Sequence, residues 1–290
     1  MTSMTSTTAP PAVPARGRRR GGIRLAGRLT QRWLPFVLLV GVWEAVTRAT
    51  ASPFFPPPSE IVAATGDLWL SGPAHRLFLT DLAMDNLLPS LGRMLLALAG
   101  SAVVGIGVGI ALGRSERVFA YLNPILQFSR AVPPPTLVPV FIVLFELGTQ
   151  MQVASIIFSA IWPILLNTAD GARSVTPLQM DTAEVFRLSA VDRIRYIIIP
   201  SALPKIFAGL RLALSLSLIL MVFSELLPGT SNGIGFQLTD AQSRSDMPAM
   251  WSVIVLLGVL GYLLNTILLA VEHRVLDRRR PARTNGKVGA

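Results

Sequence analysis

Six ionisable side chains lie inside or at the edges of long apolar runs: Glu44, Arg48, Arg93, Glu146, Arg211 and Glu225. A charge placed in hydrocarbon is costly, so each such residue marks an ion pair, an interface anchor or a polar pathway. Glu44 and Arg48 stand one helical turn apart and are expected to pair. Arg93 and Arg211 have stems long enough to snorkel to an interface. Facing a pathway instead, either would favour an anion. Glu146 and Glu225 fall near the outer ends of their runs. Glu225, in the segment FSEL, is the best single candidate for lining a solute pathway. Arg211, Ser217 and Ser224 on the same run are candidates beside it, although serines also pack well between membrane helices. Covalent and metal chemistry finds no support. The chain has no cysteine, and its two histidines, His75 and His273, are far apart. It contains no G-x-x-x-x-G-K-[ST] phosphate loop, no G-x-S-x-G and no H-E-x-x-H,. No metal and no cofactor are expected on this chain, and energy for any active process must come from a partner or a gradient.

A second feature is the polar stretch PLQMDTAEVFRLSAVDRIRYIIIPSALP, residues 177–204, set between two apolar runs. Thr176, Pro177 and Gln179 read as a helix start of the capping-box kind. Asp181 and Glu184 follow in the first turns, where negative charge suits the helix dipole. Met180, Ala183 and Phe186 recur at helical spacing. The pattern breaks at Arg187-Leu188-Ser189, and Ser189 with Asp192 gives a second start. The stretch is therefore expected to be two short helices bent near 187–189, the second covering about 190–198 and ending at Pro200. Such a segment either lies on a membrane surface or docks a protein.

The surrounding elements must hold these residues. Of 290 residues, 51% are hydrophobic and 14% charged, against about 25% charged in soluble domains. Apolar runs of spanning length occur at about 33–49, 87–113, 132–148, 151–169, 205–227 and 250–272. The third and fourth, nearly contiguous, should form a tight antiparallel pair. Lys and Arg sort strongly: segments 1–32, 114–131, 170–205 and 273–290 hold 21 of the 26, and the intervening outer segments hold Arg48, Arg76 and Arg244. Basic residues gather on the cytoplasmic side, which predicts six spans with both termini inside. The formal net charge of +10 belongs to this bias, and no nucleic-acid partner is expected. Residues 1–32 are expected to be a disordered basic cytoplasmic tail, 33–276 the transmembrane domain and 277–290 a second basic tail. Gly105, Gly109 and Gly113, with Gly100 and Gly107, make the second run a tightly packed helix.

The stretch at 181–200 resembles the Glu-Ala-Ala loop signature of permease subunits in binding-protein-dependent ABC importers. Asp181-Thr182-Ala183 stands at Glu-Ala-Ala, Arg187 at the signature glycine, and Ile197-Ile198-Ile199-Pro200 at the closing Ile-x-Leu-Pro, without a gap. Further segments are similar to the nitrate/sulfonate/taurine (aliphatic sulfonate) type: PPPSEIVAA, SLGRMLLALAGSAVVGIGVGIALG, SRAVPPPTLVPVFIVLFELGT, WPILLNTADGARSV, IPSALPKIFAGLRLALSLSLILMVFSEL and SNGIGFQLTDAQ.

The resemblance implies an all-α membrane protein of type I-like ABC importer permease (MetI-like) architecture, with six transmembrane helices and a cytoplasmic coupling-helix loop at about 176–200. It implies ATPase coupling through Asp181, Thr182, Ala183, Arg187, Ile197, Ile199 and Pro200. Partners would be a dimer of ABC ATPase subunits, which use the ATP, an extracytoplasmic solute-binding protein, a second permease subunit in a homodimer, and membrane lipid of the bacterial inner membrane. The solute would be a sulfonate, taurine or nitrate-like anion. Two positions depart from the signature: Asp181 shortens the carboxylate, and Arg187 replaces a glycine where a left-handed backbone would cost an L-residue about 1 kcal/mol. The alternative is a self-contained secondary transporter or channel. No repeat relates 33–150 to 151–272, and a gradient-driven carrier has no need of the 177–200 insert.

Overall fold

In the computed structural model the described residues are 21–277, and for 21–32 the backbone alone is described. The expected tails at 1–20 and 278–290 lie outside these residues. The chain divides into two compact units, Met1–Ser59 and Glu60–Ala290. The first contains α1 (Gly21–Thr50), so residues 21–32, expected as tail, are helical. Arg48 Nε donates to Glu44 Oε1 at 2.6 Å, as the spacing predicts. Glu44 also accepts from the Ser59 N–H and hydroxyl at 3.0 and 2.7 Å, tying the chain after α1 back onto the helix.

The rest consists of helices and the turns that join them: α2 (Pro58–Trp69), α3 (Asp81–Gly113), α4 (Glu116–Ala131), α5 (Val138–Phe145), α6 (Thr149–Arg173), α7 (Pro177–Val185), α8 (Ala190–Arg193), α9 (Ile199–Glu225), α10 (Ile234–Ser243) and α11 (Met247–Asp277). Local chemistry sets the boundaries. Thr80 caps α3 by accepting from the Ala83 N–H at 3.1 Å. Ser115 caps α4 through the Val118 N–H at 3.3 Å. α5 and α6 reverse direction over Glu146-Leu147-Gly148, where Glu146 and Gly148 have φ of 60° and 153°.

Among the described residues, four helical stretches are long and apolar enough to cross a membrane: Ala74–Gly113, Thr149–Arg173, Ala190–Glu225 and Met247–Asp277. They carry the expected second, fourth, fifth and sixth spans. The third differs from expectation. Instead of one helix over 132–148, Glu116–Ala131 and Pro134–Phe145 form a pair bent by 83°. The reason is Pro133-Pro134-Pro135: residues before prolines are pushed out of the α region, and a short 3-10 turn at Pro134–Leu137 takes up the change of direction. α5 alone, eight residues, rises only about 12 Å. The segment 114–131, expected as a cytoplasmic loop, is therefore the first arm of this bent element.

The centre of the second unit is a three-helix layer of α3, α6 and α9. Small residues make it close. A Cβ at Gly109 would lie 2.7 Å from the Leu165 carbonyl oxygen, and one at Gly209 would lie 2.7 Å from that of Pro163. Around this layer, Trp69, Met94, Met151, Ile156, Leu220, Met221 and Val253 fill a buried core. The outward faces are apolar instead of polar: Leu96, Val103, Ile219, Val259 and Ile267 are all exposed. Such a surface is at home in lipid and not in water.

Candidate functional site

The polar stretch folds much as its local signals dictate. Thr176 precedes α7, and Gln179 Oε1 accepts from the Thr176 N–H at 3.0 Å. Ser189 Oγ accepts from the Asp192 N–H at 3.2 Å and starts α8. Between them α7 ends in a Schellman motif: the Leu188 N–H donates to Ala183 O and the Arg187 N–H to Glu184 O, both at 2.9 Å. That motif needs a left-handed residue after the cap, and Arg187 supplies it with φ of 51°. The bend is made at Arg187 despite its side chain. Arg187→Gly is therefore expected to tighten the end of α7 by up to about 1 kcal/mol. Slower amide exchange of Leu188 and neighbouring residues would register it, and unchanged or faster exchange would refute it.

One expectation fails. The second helix does not end at Pro200. α8 continues through a π-helical segment, Ile194–Ile198, into α9 as one helical stretch. Proline lacks an N–H and its ring collides with the carbonyl four residues back. Here the turn is widened instead, and the Ile199 N–H reaches back five residues to Ile194 O. Pro200 thus ends the π turn and begins α9.

Within this segment Asp181, Thr182 and Arg187 are exposed, Ala183 is buried, and Ile197, Ile199 and Pro200 are partly covered. Thr182, Ile197 and Pro200 line one cavity with Gln179, Tyr196 and Ser201, about 400 Å³ in volume. Leu178, Val185, Phe186, Val191 and Tyr196 stand outward, each more than 60% exposed. The α7–α8 segment therefore presents apolar side chains away from its own chain. Beside it, Arg173 lies 4.5 Å over the Phe119 ring and 3.6 Å from Glu116, joining the end of α6 to α4.

The pathway candidates lie elsewhere than expected. Glu225 is only 1% exposed. Its carboxylate accepts from Arg93 Nη2 at 2.6 Å, Ser90 Oγ at 2.7 Å and the Gly235 N–H at 3.0 Å. Arg93 Nη1 in turn donates to Asn232 Oδ1 at 2.9 Å. The Ile234 N–H donates to Ser90 Oγ and the Gly233 N–H to Asn86 Oδ1, both at 3.0 Å. This closed polar knot ties residues 232–235 onto α3 and the end of α9. Gly233 and Gly235 admit it: a Cβ at Gly233 would lie 2.5 Å from Glu225 Oε2, and one at Gly235 would lie 2.7 Å from Glu225 Cβ. Glu225 and Arg93 are thus an internal ion pair, neither pathway lining nor a snorkelling anchor. Ser217 and Ser224 are fully buried. Arg211 pairs with Glu272 across to α11. Ser217, Ser224 and Glu225 offer no free polar face to a pathway in this conformation, whereas the Arg211 side chain is 43% exposed.

The similarity to known proteins extends over most of the chain. The family described as binding-protein-dependent transport system inner membrane component matches residues 103–280. The chain belongs to this family. It is 31% identical over 277 residues to the nitrate import permease protein NrtB of Leptolyngbya laminosa, covering 93% of this chain and 98% of that protein. It is 30% identical to the taurine transport system permease protein TauC of Escherichia coli K12, over 82% of this chain and 86% of that one. The putative aliphatic sulfonates transport permease protein SsuC of Bacillus subtilis 168 is also 30% identical, over 90% of this chain and 92% of that one. A solved inward-facing structure of the MetNI methionine ABC transporter shares the fold, with a TM-score of 0.55 at 16% identity over 68% of this chain and 95% of that one. The permease is a multi-pass membrane component of a transport system.

Sequence reasoning singles out Arg93 and Glu225 separately and misses their union, along with Asn86, Ser90, Asn232, Gly233 and Gly235. The usable signal is charge complementarity: opposite charges set in two apolar runs tend to find each other in lipid.

Proposed function

We propose that the permease forms, with a second copy of itself, the pathway of an ATP-driven ABC importer for a small oxyanion, of the nitrate, sulfonate or taurine kind, delivered by an extracytoplasmic binding protein. Both termini and the 176–200 segment lie on the cytoplasmic side, where a pair of ATPase subunits engages α7 and α8. The observation that carries this reading is the α7–α8 segment itself. Its ends are fixed by a capping interaction, a Schellman turn and a second cap, yet its apolar residues Leu178, Val185, Phe186 and Val191 face outward. A rigid, locally stabilised element with an unmet apolar surface suits a protein partner better than loose contact with lipid headgroups. Being continuous with α9 and adjacent to the end of α6, it would pass a partner's movement to the spans as a rigid-body displacement. Similarity to nitrate, taurine and aliphatic sulfonate permeases supports the solute class.

Phe186 and Val185 are the test positions, because both are exposed, 73% and 80%, whereas Ala183 is buried and its replacement would also disturb α7. Val185→Asp with Phe186→Asp is expected to leave the permease folded and to abolish co-purification with the ATPase. Transport should fall at least tenfold. Undiminished ATPase retention in a monodisperse double variant would overturn the coupling role.

A further inference from the structure

A cavity of about 260 Å³ opens between the end of α4, the 3-10 turn and one face each of α6 and α9. Its lining is of two kinds. Pro134, Pro163, Leu166, Leu212 and Leu216 make apolar walls, and Arg130, Ser159, Trp162 and Asn167 are the polar members. Ser159, Trp162, Pro163, Leu166 and Asn167 recur at helical spacing, so the central part of α6 turns a single face to the cavity.

Three properties set it apart. First, two of its donors are unmet: Ser159 Oγ and Trp162 Nε1 are buried and have no hydrogen-bond partner among the described residues. A buried polar group without a partner costs roughly 1–3 kcal/mol, so two on one face call for an explanation. Second, Arg130 carries a charge that no carboxylate of the described residues neutralises, and none lines the cavity. Third, the volume lies below the roughly 300–1,000 Å³ of pockets for drug-sized ligands, which suits a solute of a few heavy atoms. Other cavities differ in kind. One lined by Leu218, Ile219, Val222, Phe223, Leu226 and Leu257 has no polar side chain, and two flank the α7–α8 segment.

We infer that the Arg130–Ser159–Trp162–Asn167 cavity is a binding site for a small oxyanion in transit through the permease. This rests on the importer reading and names where, inside the chain, the solute is held. The guanidinium supplies charge and a planar pair of donors that matches nitrate, carboxylate or sulfonate oxygens. Trp162 and Ser159 bring to the same face of α6 two neutral donors that have no partner among the described residues. The leucine and proline walls tolerate a short carbon chain. One cation without a dense cage of donors gives a site that binds and releases, as passage requires. The site lies where α4 bends into α5, and α6 and α9 both adjoin the coupling segment, so movement there would change its shape.

The test uses the permease co-expressed with its ATPase and binding protein and reconstituted in proteoliposomes, with radiolabelled nitrate, taurine and methanesulfonate as probes. Arg130 is exposed, so Arg130→Gln should leave the fold and ATPase retention intact. Uptake is expected to fall at least tenfold with a raised apparent KM, and Arg130→Lys should recover a good part of it. Trp162→Phe keeps the ring and removes the donor, and should weaken uptake severalfold. Unchanged uptake and KM in Arg130→Gln and Trp162→Phe would overturn the site while leaving the importer reading intact. A wild-type assembly that retains its ATPase but takes up none of the three anions would overturn the oxyanion assignment and this site with it. Loss of ATPase retention in the wild type would overturn the importer reading itself.

Discussion

Arg93→Met alone and Glu225→Gln alone should each destabilise the permease more than the two together. Each single change leaves one charge in an enclosed site, Arg93 at 8% or Glu225 at 1% exposure, without its counter-ion. Breaking a buried pair in this way costs about 3–5 kcal/mol. In the double variant both charges are gone. The side-chain amide introduced by Glu225→Gln keeps a carbonyl oxygen to accept from the Gly235 N–H and Ser90 hydroxyl, so the knot loses chiefly the Arg93 contact to Asn232. The measurement is thermal unfolding of the detergent-purified protein in a double-mutant cycle. Both singles should melt well below the wild type, with the double between. A double variant that melts lower than either single, at the sum of their losses, would mean that the pair is not coupled. A local readout accompanies it: residues 231–235 are held to α3 and α9 by this knot, so both singles should become cleavable there by protease before global unfolding.

The knot also illustrates what a single sequence conceals. Glu225 reads as pathway lining because the cost of a carboxylate in lipid demands a reason, and its partner lies 132 positions away. Hydropathy and local spacing carry no information about such a pairing. Signals that act within one turn are legible. Thr176 with Gln179, Ser189 with Asp192, and Glu44 with Arg48 all interact as their spacing implies, because residues three or four apart on a helix have little choice of neighbour. The break at 187–189 is legible too, but the left-handed backbone at Arg187 is signalled only by the glycine of the signature that it resembles. Proline misleads when its context is unknown. Pro200 reads as a terminus, but a π turn accommodates it. The run Pro133–Pro135 reads as the blurred edge of a straight span, but it makes the 83° bend. α4, with Arg114, Arg117 and Arg130 on or beside it, reads as a cytoplasmic loop because basic residues usually mark one. That assignment hides Arg130, whose neighbours in the cavity come from α6 and α9.

Gly109→Leu is expected to prevent assembly of the folded permease, whereas Gly107→Leu on the same helix should be tolerated. The contrast follows from what a side chain would meet. At Gly109 even a Cβ would come within 2.6 Å of Thr168 Cβ and 2.7 Å of the Leu165 carbonyl oxygen, and at Gly107 it meets nothing within 4 Å. The Leu165 atom is backbone, so no rotamer change relieves the contact. α3 and α6 must separate, and in lipid there is little hydrophobic force to draw them together again. The yield of monodisperse protein on size exclusion separates the two variants, and equal yields would refute the close-packed seam. Gly109→Ala is the informative intermediate, since overpacking by one methyl costs about 1–3 kcal/mol and should leave some folded protein. α6 ends beside the α7–α8 segment and α9 grows out of it, so motion arriving there reaches α3 through this seam as well as through the direct α3–α9 contacts. A folded Gly109→Ala importer should therefore hydrolyse ATP at a normal rate while moving less solute per ATP. An unchanged ratio of solute to ATP would mean that the α3–α6 seam takes no part in transmission.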